Sequence, residues 1–167
     1  MLSYMTTMNE EIVTSHFIDI EYLKGDFSVD VFKHDEGNEW KKCGKGFSNY
    51  SIENMSIRER IEVVKENKNI IIINTICFNS DDNTYTMLTL DTTFGLIDTY
   101  KGTFKNEKLE LNNLDSGIER KNKKGISYSF KLIFKKISFV QHEILIGYTK
   151  DSGKTWLPFV KNVYTKK

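Results

Sequence analysis

The chain has 167 residues, a length that builds one domain around a single core. It is 39% hydrophobic and 28% charged, close to the average of globular proteins, which excludes global disorder. The net charge of +1 argues against nucleic acid as a partner, because such binding relies on a strongly basic face that releases counterions from phosphate. The short basic run Arg120, Lys121, Lys123 and Lys124 is interrupted by Asn122, ends at Gly125 and reads as a solvated turn.

The two cysteines, Cys43 and Cys77, lack metal-type spacing and fit a reducing compartment, although folding could bring them together as a pair. The opening "MLSYMTTMNEEIV" has neither the basic segment nor the apolar segment of a secretory signal. The longest apolar run, Ile70 to Ile73, falls far short of a membrane span. A cytoplasmic protein with no membrane partner is expected, as a monomer or homodimer.

In chain order, the first segment is ambiguous. "TTMNEEIVTSHFIDIEYLKG" offers Asn9 as an N-cap and Gly25 as a stop, with Val13, Phe17 and Ile20 at helical spacing. Ile18, Ile20 and Tyr22 also alternate, and a short amphipathic helix running into a strand reconciles both patterns. Residues 1–25 are thus a helix or extension of a single domain spanning 1–167. "FSVDVF" then alternates Phe27, Val29 and Val31 with polar residues, the period of a half-buried strand.

"SIRERIEVVKENK" fits a helix through Ile57, Ile61 and Val64. It also fits a strand through Ile57, Ile61 and Val63, with Glu59 on the same face. The strand is favoured because Lys65 to Asn69 reads as a hairpin turn into "NIIIINTICF". That segment is rich in β-branched residues, like a strand buried on both faces. "SDDN" supplies a turn before "TYTMLTLD". Gly95 to Tyr100 reads as a further strand, followed by Lys101-Gly102, and "FKNEKLEL" turns at Asn106-Glu107. "SYSFKLIF" puts Tyr128, Phe130, Leu132 and Phe134 on one face, and "ISFVQHEILIGY" and "TWLPFVKNVY" complete the series. A mainly β chain of about nine or ten strands implies a sandwich or a barrel.

Between the last two segments, "YTKDSGKTW" places Thr149, Asp151, Gly153 and Trp156 at the spacing [ST]-x-D-x-G-x-x-W. This resembles the Asp box of sialidases, which are six-bladed propellers with several boxes and an arginine triad. One box, three arginines and 167 residues do not make such an enzyme. The physical reading is a hairpin connection: Asp151 bonds backbone amides, Gly153 takes a positive φ, and Trp156 packs over the turn.

A second resemblance spans Glu39 to Tyr164. "EWKKCGKGFSNYS" presents Trp40, Gly44 and Gly46, "YKGTFKNEKLEL" follows, and "YTKDSGKTWLPFVKNVY" closes the series. This order resembles bacterial lipocalin-like proteins of the calycin type, with an early W-x-x-x-G-x-G, a late S-x-D-G-G-x-T-W turn and a last strand ending in an aromatic. Ser152 stands where that family often has glycine, and the first strand lacks its usual Gly-x-Trp. The resemblance implies an up-and-down antiparallel β-barrel whose interior can hold a small apolar ligand.

The chemistry-bearing residues are few. His16, His34 and His142 form no metal-type pair, and no nucleophile elbow or phosphate loop occurs. Asp81, Asp82 and Asp91 lack the pattern of a calcium loop. His142 shares a strand face with Val140, Ile144, Ile146 and Tyr148, as a core histidine or a ligand contact. Haem ligation is the sharper alternative, because nitrobindin-like haem barrels carry a similar early motif; their haem histidine lies in the last strand, where this chain has none. Arg58 and Arg60 share a strand face and could clamp a carboxylate, with solvent-facing ion pairs to Glu59 and Glu62 as the plainer reading.

These readings converge on a non-enzymatic barrel, without cofactor, for a small hydrophobic or amphipathic molecule. The expected cavity residues are Phe130, Leu132, His142, Ile144 and Tyr148, with Arg58 and Arg60 as the clamp. An interaction or scaffold protein, and an enzyme with catalytic groups drawn from separate strands, are the alternatives.

Overall fold

The computed structural model describes residues 19–53 and 56–167. The helix read over the first residues, together with His16, lies outside the described residues, apart from a single 3-10 turn at Glu21–Leu23. Eleven strands follow: β1 (Gly25–His34), β2 (Trp40–Glu53), β3 (Ser56–Lys65), β4 (Lys68–Asn79), β5 (Thr84–Asp91), β6 (Leu96–Lys105), β7 (Lys108–Asn112), β8 (Arg120–Lys121), β9 (Ser127–Lys136), β10 (Gln141–Thr149) and β11 (Leu157–Lys166).

Every pairing is antiparallel, and neighbours in sequence are neighbours in space from β1 to β7. β9 pairs with β7 and β10, β10 with β11, and β11 with β1, so ten strands close into an up-and-down barrel. The two-residue β8 is an extra piece beside the start of β9. Closure leaves no long unpaired edge, which is how an all-β chain of this size avoids edge-to-edge association.

Local chemistry explains the hairpins. The β3–β4 turn uses Glu66 and Asn67, and the β6–β7 turn uses Asn106 and Glu107; all four have φ between 51° and 61°. Two successive positive φ values give the tight turn whose twist matches that of the flanking strands. Two glycines serve close approach instead. A Cβ on Gly46 would sit 1.9 Å from the Glu62 carbonyl oxygen, and one on Gly102 would sit 1.8 Å from that of Glu110. The strands coil so sharply there that no side chain fits, which gives a physical role to the last glycine of the early motif.

Three sequence expectations are corrected. Residues 70–73 are not buried on both faces: Ile70 and Ile72 pack against the core, while Ile71 and Ile73 stand half-buried on the outer wall. A single closed sheet has only one inside. Lys101 and Gly102 do not interrupt β6 but belong to it. Arg120 is not solvated; its side chain is only 18% exposed and lies against Asp98, with Nη2 donating to the Ile97 carbonyl at 2.7 Å.

The core lies inside the barrel and is not uniform along its axis. At the end where β1 begins, Ile20 and Leu23 are fully buried and close the opening, packing with Phe27, Tyr50, Ile57, Tyr164 and Ile144. Toward the other end, the residues Ile70, Ile72, Leu132 and Ile146, which pack against the same core, are only half-buried. Val31, Val63 and Val160 remain buried toward that end, so the barrel is sealed tightly below and packed more loosely above on the β4, β9 and β10 side.

Candidate functional site: the barrel interior and its open end

The sealed end is built from aromatic rings around His142. This residue is 1% exposed; its imidazole stacks on Tyr164 at 4.4 Å between centroids and meets the edges of Phe27 at 4.8 Å and Tyr22 at 5.7 Å. Burial pushes its pKa down to about 3, so the ring is neutral. Among the described residues, rings enclose the imidazole on several sides. Its Nε2 has no hydrogen-bond partner, nor does the buried hydroxyl of Tyr22.

Beside this cluster, an inward polar stripe crosses five neighbouring strands, β2 to β6, and ends at the residue that follows β7. Ser48 of β2 donates its hydroxyl to Glu59 Oε1 of β3 at 2.8 Å, and Asn74 Nδ2 of β4 donates to Glu59 Oε2 at 2.6 Å. Thr89 of β5 donates to Asn74 Oδ1 at 2.8 Å and pairs in register with Asp98 of β6. Asn113, just past β7, donates to Asp98 Oδ2 at 2.7 Å, and its own Oδ1 accepts from the Phe130 amide. Asn74 and Thr89 are half-buried.

Glu59 is the chemically unusual member. It is 2% exposed, and burial raises its pKa above the usual carboxylate range, against the lowering effect of its Asn74 and Ser48 bonds. Among the described residues no lysine or arginine forms an ion pair with it. The Tyr50 and Tyr164 hydroxyls lie near enough to influence its titration, and burial holds both phenols neutral. Tyr50 Oη nevertheless meets no partner with hydrogen-bond geometry, and neither does Asn162 Oδ1 on the same inner wall.

The open end carries an apolar cleft of about 310 Å³ lined by Asn122, Ile126, Tyr128, Phe130, Tyr148, Lys150 and Phe159. Phe130 and Tyr148 face each other across the β9–β10 pair, and a register shift in β11 makes Phe159 the extra residue. That bulge turns its ring onto Phe130 at 6.0 Å and Tyr148 at 5.9 Å. Phe130 also packs against the core, which joins the cleft to the inner wall. Three larger clefts occur among the described residues: two of about 510 and 400 Å³ lie against the sealed end, lined largely by Asp19, Lys24, Lys135, Lys136 and Lys166, and one of about 370 Å³ is walled mostly by polar groups such as Thr84, Thr86, Thr99, Lys101 and Asp115. Charged or polar surface suits an apolar molecule poorly, so the aromatic cleft is the candidate site.

The hairpin motif borders this end. Thr149 Oγ1 donates to Asp151 Oδ1 at 2.6 Å and accepts from the Gly153 amide at 3.1 Å, while Asp151 Oδ1 accepts from the Thr155 amide at 2.9 Å. These bonds hold the Asp151 carboxyl well down, at about 2. Gly153 has φ +87°, Ser152 has φ +56°, and Leu114 from the β7–β8 loop packs on Gly153. The motif is a turn that braces a neighbouring loop.

Of the sequence-derived candidates, Phe130, Leu132, His142, Ile144 and Tyr148 all lie on the inner side of the wall, divided between the two ends. Ile144 and His142 are buried in the sealed end, Leu132 stands midway, and Phe130 and Tyr148 line the open cleft. Val140, grouped with them by alternation, precedes β10 and is exposed. Arg58 and Arg60 point outward, where they pair with Glu53 at 2.9 Å and Glu62 at 2.5 Å, and they do not reach the interior. Alternation turns both arginines out because it turns Glu59 in. Asn74, Thr89, Asp98, Asn113 and Phe159 were not singled out; only Glu59, sharing its face with Ile57 and Ile61, gave a sequence signal. Cys43 and Cys77 are unpaired. Among the described residues no group of three or more metal-type ligands occurs, and no helix is long and apolar enough to cross a membrane.

These features define a closed antiparallel barrel of ten strands with an apolar cleft at one end. Comparison of the sequence with protein-family models and with curated proteins gives no match. Comparison of the structure gives an S-type phycobiliprotein lyase from Guillardia theta, with TM-score 0.58 and 10% identity over 88% of this chain and 89% of that one. A redesigned β-barrel bound to DFHBI has TM-score 0.46 and 8% identity over 87% and 99% of the two chains. Another redesigned β-barrel has TM-score 0.46 and 7% identity over 88% and 93%. At 10% identity, the likeness to the lyase is one of fold.

Proposed function

We propose that the protein is a non-enzymatic barrel that binds a small hydrophobic or amphipathic molecule at its open end. The observation that carries this reading is the aromatic cleft formed by Tyr128, Phe130, Tyr148 and Phe159, continuous through Phe130 with the half-buried inner wall. Its volume of about 310 Å³ lies in the range of small-ligand sites, and rings bury apolar ligand surface with little loss of side-chain entropy.

Titration with the neutral fluorescent probe N-phenyl-1-naphthylamine tests it. Saturable binding by the native protein, weakened at least about tenfold in Phe130→Ser and Tyr148→Ser, is the expected result. Absence of saturable binding, or equal binding by both variants, removes the proposal.

An interaction surface is the second reading, favoured by the outer wall. Ile73, Leu90 and Ile97 stand side by side across β4, β5 and β6, with exposed Leu88 beside them and Phe94 in the β5–β6 turn. Such a patch suits a second copy of the chain. A concentration-independent monomer in sedimentation equilibrium excludes that role.

A further inference from the structure

The sign of charge inside the barrel bears on what the ligand is, and the inference rests on the binding role proposed above. A barrel that holds a carboxylate-headed molecule needs a cation on its inner wall. Here alternation along β3 does the opposite, with Arg58 and Arg60 outside and Glu59 inside. We propose that the barrel selects an amphipathic ligand with a cationic or hydrogen-bond-donating head, an alkyl or aryl amine by class, whose head reaches Glu59 and whose apolar body lies along Leu132 and Ile146 toward Phe130.

Three observations support this. First, Glu59 is a buried acid with neutral donors on both oxygens and no counter-ion, and a buried carboxylate is ordinarily paired. The other inward acid, Asp98, already has Arg120 at 3.6 Å, so the two inner acids differ in just this respect. Second, Tyr50 Oη and Asn162 Oδ1 are buried on the same inner wall without a well-formed hydrogen bond, although Tyr50 lies close to Glu59 and Tyr164 and Asn162 lies close to Tyr164, and both atoms can accept one. An ammonium group has three donors and no acceptor, which matches a carboxylate with two neutral acceptors. Third, Asn74, which bonds Glu59, is itself only half-buried, and so is its neighbour Thr89, so the polar stripe beside the carboxylate is less tightly enclosed than the aromatic cluster.

Displacement of N-phenyl-1-naphthylamine by decylamine, decanol and decanoate at pH 7.5 tests the proposal, because the three share one chain length and differ in the head. In the native protein decylamine is expected to displace the probe at a concentration at least about tenfold below that of decanoate. In Glu59→Gln, which keeps the shape and the Asn74 bond while the Ser48 hydroxyl turns to accept from the new amide, that ratio is expected to fall to about threefold or less, with decanol unchanged. In Arg58→Gln/Arg60→Gln the affinity for decanoate stays unchanged. If decanoate displaces the probe as well as decylamine does from the native protein, the proposal is overturned while the apolar binding role stands; this arm needs no variant. If the probe binds and none of the three displaces it, the proposal also falls. If the probe itself fails to bind, the binding role fails first and this inference with it.

Discussion

The two ends of this barrel are built from the same strands and do different work. At the sealed end, Phe27, Tyr50, Tyr164 and Ile57 are each 2% exposed or less, and even a histidine is enclosed by rings. At the open end the rings of Tyr128, Phe130, Tyr148 and Phe159 contact one another yet line a cleft. Apolar side chains therefore fill the core at one end and line a cleft at the other, where the proposed binding role places recognition. The polar stripe from Ser48 to Asn113 runs between the two regions.

The largest test of that contrast is truncation at each end. Phe27→Ala removes a ring packed on Tyr50, His142 and Tyr164 and is expected to cost about 3–5 kcal/mol in urea unfolding. Phe159→Ala, at the open end, is expected to cost under about 1 kcal/mol while weakening probe binding. Equal losses would dissolve the distinction between the two ends.

Acid sharpens it next. His142 has a depressed pKa in the folded state, so its contribution is present above the unfolded value of about 6.5 and is lost as pH falls toward about 3. Glu59 has a raised pKa, so its contribution is present below the ordinary glutamate value and is lost as pH rises through the folded one. Thermal melts of His142→Phe should show a shallower loss of stability below pH 6.5, and those of Glu59→Gln a shallower loss toward neutral pH. Profiles parallel to the native one would show that neither group titrates from within the core.

Gly153→Val probes the brace at the open end. A β-branched residue at φ +87°, with its Cβ 2.9 Å from Leu114, is expected to lower stability by about 2–3 kcal/mol. An unchanged melting temperature would deny the turn its structural role. The smallest effect belongs to the outer wall: Arg58→Gln and Arg60→Gln break exposed ion pairs and are expected to change stability by no more than about 0.5 kcal/mol.

Much of this architecture was legible in the residues. Period-two alternation marked β1 and the inward face of β9, and Asn106-Glu107 marked a turn that does adopt two positive φ values. The resemblance to lipocalin-like barrels pointed to closure, and the pairing of β1 with β11 shows it. The site was half legible. Phe130 and Tyr148 lie where alternation puts them, whereas Phe159 joins them through a bulge that the sequence does not mark. The arginine clamp failed because alternation says which residues share a face, not which face is the inside.

By itself, then, the sequence marked most of the strands, several of their turns and the bracing hairpin, because these depend on neighbours a few residues apart. Which face of β3 turned inward, which acid acquired a counter-ion and which end stayed open were decided only by the tertiary structure. Those outcomes depend on strands far apart in sequence meeting around a closed wall, where burial assigns each group its charge and its partner.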